Sequence, residues 1–140
     1  MRYGWALVCV LLALDAGAAP FEVNSTADAP DASPGDGVCQ TASPGTCTLR
    51  AAIQEANALP GADTIHVPAQ TYTLTIAGAG EDLAATGDLD ISDEVTIQGD
   101  DAATTIIDGG GLDRVFEVRP LPATPSVTID AALPRRKTTR

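Results

Sequence analysis

The sequence contains little positive charge and few aromatic side chains. Lys and Arg together number 8 against 19 Asp and Glu, the net charge is −11, and aromatic residues make up 4% of the 140 residues. Proteins that bind nucleic acid neutralise phosphates with clustered Lys and Arg. Between residues 20 and 134 the basic residues are Arg50, Arg114 and Arg119, so the composition argues against nucleic acid as a partner. The length allows one small acidic domain and excludes a large enzyme.

Long hydrophobic runs are also scarce, and the clearest one, residues 5–14, lies near the start of the chain. Arg2 precedes this run, Asp15 ends it, and small residues follow it at 16–19. The arrangement predicts a secretory signal peptide over residues 1–19, and therefore a secreted or outer cell-surface protein. As a helix the run would extend about 15 Å, half of a roughly 30 Å hydrocarbon core. No transmembrane segment is expected after signal cleavage.

Cysteine and histidine are few, with three cysteines and one histidine. Cys9 falls within the predicted signal peptide, which leaves Cys39 and Cys47 as a pair in an oxidising compartment. We predict a disulfide between them, and two free thiols are the alternative. A zinc site is not expected because the single histidine, His66, is far from both cysteines in the sequence. Alternation around His66 predicts an outward-facing strand position.

Residues 20–62 are predicted to form an N-terminal cap. Residues 21–45 are rich in Ala, Asp, Pro, Ser and Gly, a composition typical of loops. Apolar residues then recur at helical spacing, which predicts an amphipathic helix over about residues 49–58 with polar side chains on its other face. Thr46 or Thr48 can cap its start, and Pro60 with Gly61 ends it. The apolar positions are Leu49, Ala52, Ile53, Ala56 and Leu59, and the polar ones are Arg50, Gln54, Glu55 and Asn57.

Residues 63–130 alternate apolar and polar side chains in short runs between turn-forming segments, which predicts strands. The runs are 64–67, 71–76, 88–91, 94–97, 104–107, 114–118 and 126–129. Leu74, Val95 and Phe116 are evenly spaced (95 − 74 = 116 − 95 = 21), as are the apolar residues two places after each. This spacing without helices between strands predicts an all-β solenoid of stacked coils. An ordinary β-sandwich is the alternative.

Residues 47–57, CTLRAAIQEAN, resemble the signature of the CSLREA domain. Thr48 stands where that signature has Ser, and Ala51 stands where it has Glu. The cap-motif residues are Cys47, Thr48, Leu49, Arg50, Ala52, Ile53, Ala56 and Asn57. The resemblance implies a right-handed parallel β-helix, a pectate-lyase-like solenoid, that starts with one capping α-helix. Such domains occur near the amino terminus of secreted and surface bacterial proteins.

The resemblance implies a structural role outside the cell, with no catalysis by this chain. The helix would cover the open first coil, where uncovered strand edges invite aggregation. A β-helix of adhesin or glycan-contacting type would meet extracellular glycans or host and cell surfaces through coils missing from this chain. The alternative is a fragment of a β-helix polysaccharide lyase or glycoside hydrolase, which rests on analogy between folds.

Asp88 and Asp90 are the candidate catalytic residues for that alternative. Their alternation with Leu89 and Ile91 predicts that both carboxylates point outward from one strand, about 7 Å apart, within the range that inverting glycosidases use. Solubilising surface charge is the simpler interpretation of the same pattern.

The acidic loop formed by Asp28, Asp31 and Asp36, with Gly35 and Gly37, could wrap a calcium ion with carboxylate and backbone oxygens. The spacing does not match the EF-hand pattern. We therefore expect a solvated turn and no cofactor, with calcium as the alternative.

Residues 131–140 are predicted to form a basic, disordered tail. In the 21-residue register the next apolar pair would fall at Lys137 and Thr139, which are polar. This favours a longer β-helix that was interrupted by a frame change or a premature stop. One alternative is that Pro and basic residues protect an edge strand. Another is that the tail contacts nucleic acid or membrane.

Overall fold

The computed structural model describes residues 20–120 and 124–135. The predicted signal peptide with Cys9, and the last five residues of the predicted tail, lie outside the described residues. In the described ranges the regular secondary structure is mostly strand, and the one helix lacks the length and apolar character needed to span a membrane. The elements are β1 Pro20–Glu22, α1 Leu49–Ala58, β2 Asp63–Val67, β3 Thr71–Thr73, β4 Leu89–Ile91, β5 Val95–Gly99, β6 Ile106–Asp108, β7 Phe116–Val118, β8 Val127–Asp130 and β9 Leu133–Arg135.

The strands form three sheets, with the orders β1-β2-β5-β8, β3-β6-β9 and β4-β7. Every pairing between these strands is parallel. From β2 onward the chain enters the first, second and third sheet in turn, then repeats this order through β5, β6 and β7, and returns to the first two sheets with β8 and β9. The prediction of an all-β chain with one helix is confirmed at this level.

The predicted 21-residue register is wrong. Val95 pairs with Asp63 and with Val127, each 32 residues away (95 − 63 = 127 − 95 = 32), and Phe116 pairs with Leu89. From β2 onward, successive strands of one sheet are separated in the sequence by two strands of the other sheets and by loops that differ in length. An even spacing of apolar residues along the sequence therefore does not report which strands are neighbours.

The core lies between the sheets and is lined by alternate strand residues. Ile65 pairs with Ile97, and both are 0% exposed. Within β2 and β5, the residues that alternate with the buried ones face outward and are partly or fully exposed. This is the period-two pattern of a half-buried strand. The same core receives apolar residues from α1, including Leu49, Ala52 and Ile53.

Helix α1 begins and ends where the sequence predicts. Thr48 is its N-cap, and the Thr48 hydroxyl accepts a hydrogen bond from the N–H of Ala51. At the other end the N–H of Leu59 donates to the backbone carbonyl of Glu55. The polar face is not exposed to solvent, because Arg50, Gln54 and Glu55 are buried. The loop before α1 and the loop before β4 form hydrogen bonds to these side chains.

Strand β9 lies within the segment predicted as a disordered tail. Leu133–Arg135 pairs in parallel with β6, so strand structure continues beyond residue 130. A proline in this strand is tolerated because a strand at the edge of a sheet has backbone N–H groups without ladder partners.

Candidate functional site

Arg50 is the most heavily bonded side chain of α1 and is 1% exposed. Its Nε donates to Asp28 Oδ1 at 2.6 Å and its Nη2 donates to Asp28 Oδ2 at 3.2 Å. The same guanidinium donates to the carbonyl oxygens of Ala84 at 2.9 Å and Gly87 at 2.8 Å. Arg50 thus joins the helix to the loop before it and to the loop that precedes β4. A planar group with fixed donors suits such a multidentate contact.

Asp28 completes this buried pair. Burial acts to raise the pKa of Asp28, but hydrogen bonds from Arg50 and from the N–H groups of Ile76 and Thr75 outweigh it, so the pKa is lowered. Asp28 therefore carries its charge while its side chain is 2% exposed. Asp28 is one of the calcium candidates. Its carboxylate instead accepts hydrogen bonds from Arg50 and from the backbone N–H groups of Thr75 and Ile76.

Other polar side chains within residues 47–57 bind the same two loops or the end of β4. The hydroxyl of Thr48 donates to the carbonyl of Ala29 at 2.6 Å. Gln54 accepts from the N–H of Asp31 and donates to the carbonyl of Leu83. Asn57 donates to the carbonyl of Asp90 at 2.7 Å and accepts from the N–H of Ser92 at 2.9 Å, which holds the helix to the end of β4.

Glu55 holds the loop before α1, a role that its place in the helical pattern does not predict. It is 0% exposed, and its two carboxylate oxygens accept the N–H groups of Gly35 at 2.8 Å and Gly37 at 3.0 Å. Burial raises the pKa of Glu55, although those two hydrogen bonds act in the opposite direction. Both glycines have positive φ, +97° and +83°, so a Gly-x-Gly segment upstream of the motif was the available signal.

The predicted disulfide is confirmed. Cys39 and Cys47 are bonded, with their Cα atoms 5.2 Å apart. Cys47 is buried in the core and Cys39 packs against it, so the bond fixes the loop that precedes α1. A disulfide of this kind is typical of an oxidising, extracellular environment.

We expect the double change Cys39→Ser with Cys47→Ser to lower the free energy of unfolding by about 2.5 kcal/mol, because the bond restricts a short loop of the unfolded chain. Urea denaturation of the parent and the variant measures the difference. Reduction of the parent should reproduce the loss without any substitution. Equal stability of the oxidised and reduced parent would contradict this role.

The other calcium candidates do not gather at one point. Asp31 accepts the N–H groups of Ser33 and Gln40, and Asp36 accepts the N–H of Val38. Both act as turn-forming residues that bond their local backbone. Across the described ranges, the three candidates do not form a group of acidic side chains whose oxygens lie within 4.8 Å of one another.

The prediction that Asp88 and Asp90 point outward into solvent is wrong. Asp90 is 0% exposed and Asp88 is 5% exposed. The loop before β4 covers this side of the strand, and the N–H of Ala84 donates to Asp90 Oδ2 at 3.3 Å. Burial raises the pKa of Asp90 to about 6, helped by the charges of Asp88, Glu81 and Glu117. Burial also raises the pKa of Asp88 against the opposing attraction of Arg114.

Glu117 was not considered from the sequence, yet it joins these two aspartates. Asp90 pairs with Glu117 across β4 and β7, and one oxygen each from Asp88, Asp90 and Glu117 lies within 4.8 Å of the others. The observed pairing of β4 with β7 makes Glu117 a neighbour of Asp90, and the predicted 21-residue register does not.

His66 lies on the outer face of β2, where the sequence placed it. Its Nδ1 lies 2.6 Å from Glu22 Oε2 and its Nε2 lies 2.7 Å from Asp100 Oδ1. The hydrogen bonds to Glu22 and Asp100 raise the pKa of His66. The imidazole thus bridges one carboxylate from β1 and one that follows β5, the two strands that flank β2.

His66 is expected to titrate above its unfolded pKa of about 6.5. Because the folded-state pKa is raised, its stabilisation is fully present below pH of about 6.5 and is lost as the pH rises through the folded value. The side chain is 34% exposed, so we expect an effect of no more than about 1 kcal/mol. An NMR titration of this single histidine measures the pKa. A value at or below about 6.5 would contradict the two ion pairs.

Comparisons with known proteins returned no family model, no curated protein and no solved structure that matches this chain.

Proposed function

We propose that this chain is the N-terminal cap and first coils of a right-handed parallel β-helix in an exported protein of CSLREA type, with a structural role. The observation that carries the proposal is the repeated passage of the chain through three parallel sheets in a constant order. In a β-helix each circuit contributes one strand to every sheet and pairs in parallel with the circuit before it. The apolar pairs Ile65 with Ile97 and Leu89 with Phe116 fit such stacking.

In this proposal α1 is the lid of the stack. It lies against β2 and β4, which belong to the first circuit, and its Ile53 is 1% exposed within the common core. Arg50 and Asn57 fasten the lid to the loop before β4 and to the end of β4. A covered end removes apolar surface that would otherwise recruit other chains.

The same proposal places the protein outside the cytoplasm, where a β-helix of this type meets extracellular glycans or host and cell surfaces. The disulfide supports an oxidising compartment. The apolar run at residues 5–14 supports export.

Fractionation of a bacterial host that expresses the chain with a C-terminal tag tests this placement. We expect the tag outside the cytoplasm and Cys39 bonded to Cys47, whereas Leu12→Arg, which interrupts the apolar run, should leave the protein inside and reduced. Retention of the parent chain in the cytoplasm would contradict the proposal.

The alternative function, a fragment of a polysaccharide lyase or glycoside hydrolase, is opposed by the burial of its candidate residues. A catalytic carboxylate must reach the scissile bond, and Asp90 is 0% exposed beneath the loop before β4. We expect no product from a panel of acidic polysaccharides. Turnover that Asp90→Asn abolishes would instead support the enzyme.

A further inference from the structure

The carboxylates of Asp88, Asp90 and Glu117 converge at the junction of β4 and β7. Asp90 and Glu117 are partners in the parallel pairing, and Asp88 lies two residues before Asp90 on the same side of the chain. One oxygen from each residue lies within 4.8 Å of the other two. An acidic group of this size concentrates negative charge at one place beneath the loop that precedes β4.

An independent observation concerns Asp90 itself. Its Oδ1 is buried and has no hydrogen-bond partner among the described residues, and its Oδ2 receives one long contact from the N–H of Ala84. The residue as a whole is 0% exposed. Buried carboxylate oxygens are normally bonded to donors or to a cation, because an isolated buried charge is strongly unfavourable.

The nearby arginines do not supply that cation. Arg114 places Nε 3.2 Å from Asp88 Oδ2 and Nη1 3.1 Å from Glu117 Oε2, and Arg119 contacts Glu117 and Asp82. In the described part of the chain no ion pair reaches Asp90. The Arg114 side chain is 48% exposed, so it can move into solvent when another cation takes its place.

We propose that Asp88, Asp90 and Glu117 bind a hard divalent cation, with Ca²⁺ as the fitting choice. Three carboxylates form an all-oxygen donor set, which suits hard cations and disfavours softer metals that require nitrogen or sulfur. The bound ion satisfies the buried Oδ1 of Asp90 and joins β4 to β7, the strands of two successive circuits. Arg114 and the ion compete for Asp88 and Glu117.

Calorimetric titration of the purified chain with CaCl₂, together with its melting temperature, tests the site. We expect saturable binding and a rise in melting temperature with Ca²⁺. Asp90→Asn and Glu117→Gln should each weaken binding by about tenfold or more, because affinity follows the number of ligand charges. Asp130→Asn and Glu94→Gln are the matched controls at exposed positions and should bind like the parent.

Asp90→Asn is expected to fold, because it removes a buried charge and preserves the shape of the side chain. Arg114→Gln removes the competing cation and should tighten binding by about twofold to fivefold. A purely structural acidic group would not show this gain. Absence of binding up to about 10 mM Ca²⁺, above the Kd range of extracellular calcium modules, would overturn the proposal. So would unchanged binding in Asp90→Asn, or unchanged or weaker binding in Arg114→Gln.

Discussion

Replacement of Arg50 by methionine is expected to lower the free energy of unfolding by about 3–5 kcal/mol. The guanidinium is buried and donates to both oxygens of Asp28 and to carbonyls of the loop before β4. Its removal leaves the Asp28 charge buried with only backbone donors and leaves those carbonyls without their partner. Urea denaturation monitored by circular dichroism measures the loss.

Arg114→Met is the matched control, since Arg114 forms ion pairs near the surface with a side chain that is 48% exposed. Its loss should cost about 1 kcal/mol or less. Addition of Asp28→Asn to the Arg50→Met variant removes the stranded charge, keeps an acceptor for the N–H groups of Thr75 and Ile76, and should recover part of the stability. If Arg50→Met costs no more than Arg114→Met, Arg50 does not hold the cap.

Replacement of Ile53 by aspartate is expected to unfold or aggregate the domain. Ile53 is 1% exposed within the core that α1 shares with the sheets. Truncation of such a side chain alone costs about 2–5 kcal/mol, and an unpaired buried carboxylate adds a further penalty. Thermal melting and size-exclusion chromatography give the outcome.

Ala58→Asp introduces the same charge at the exposed end of the same helix. It should change stability by about 1 kcal/mol or less, mainly through the helix dipole. Melting of Ile53→Asp at the temperature of the parent would show that α1 does not act as a lid.

Local features of the fold could be predicted from the sequence because local rules determine them. The helical spacing of Leu49, Ala52 and Ile53, and the hydroxyl of Thr48, define a helix without reference to the rest of the chain. Alternation likewise located the strands. The disulfide followed from the count of cysteines in an oxidising compartment.

The register and the buried polar contacts could not be predicted because they depend on loop paths. Alternation assigned Asp90 to the outer face of its strand, but it carries no information about a loop that folds over that face. The same reason explains the burial of Arg50 and Glu55 on the polar face of α1. Loops of unequal length also removed the regular spacing that the 21-residue register assumed.

The central claim is that β2, β5 and β8 pair in parallel, with Ile65, Ile97 and Ile129 in register. Methyl-labelled NMR tests it most directly, because neighbouring strands lie about 4.8 Å apart and bring paired side chains within nuclear Overhauser range. The account predicts methyl contacts from Ile97 to both Ile65 and Ile129. Contacts from Ile97 to Ile76 and Val118 instead would support the 21-residue register and contradict the stacking described here.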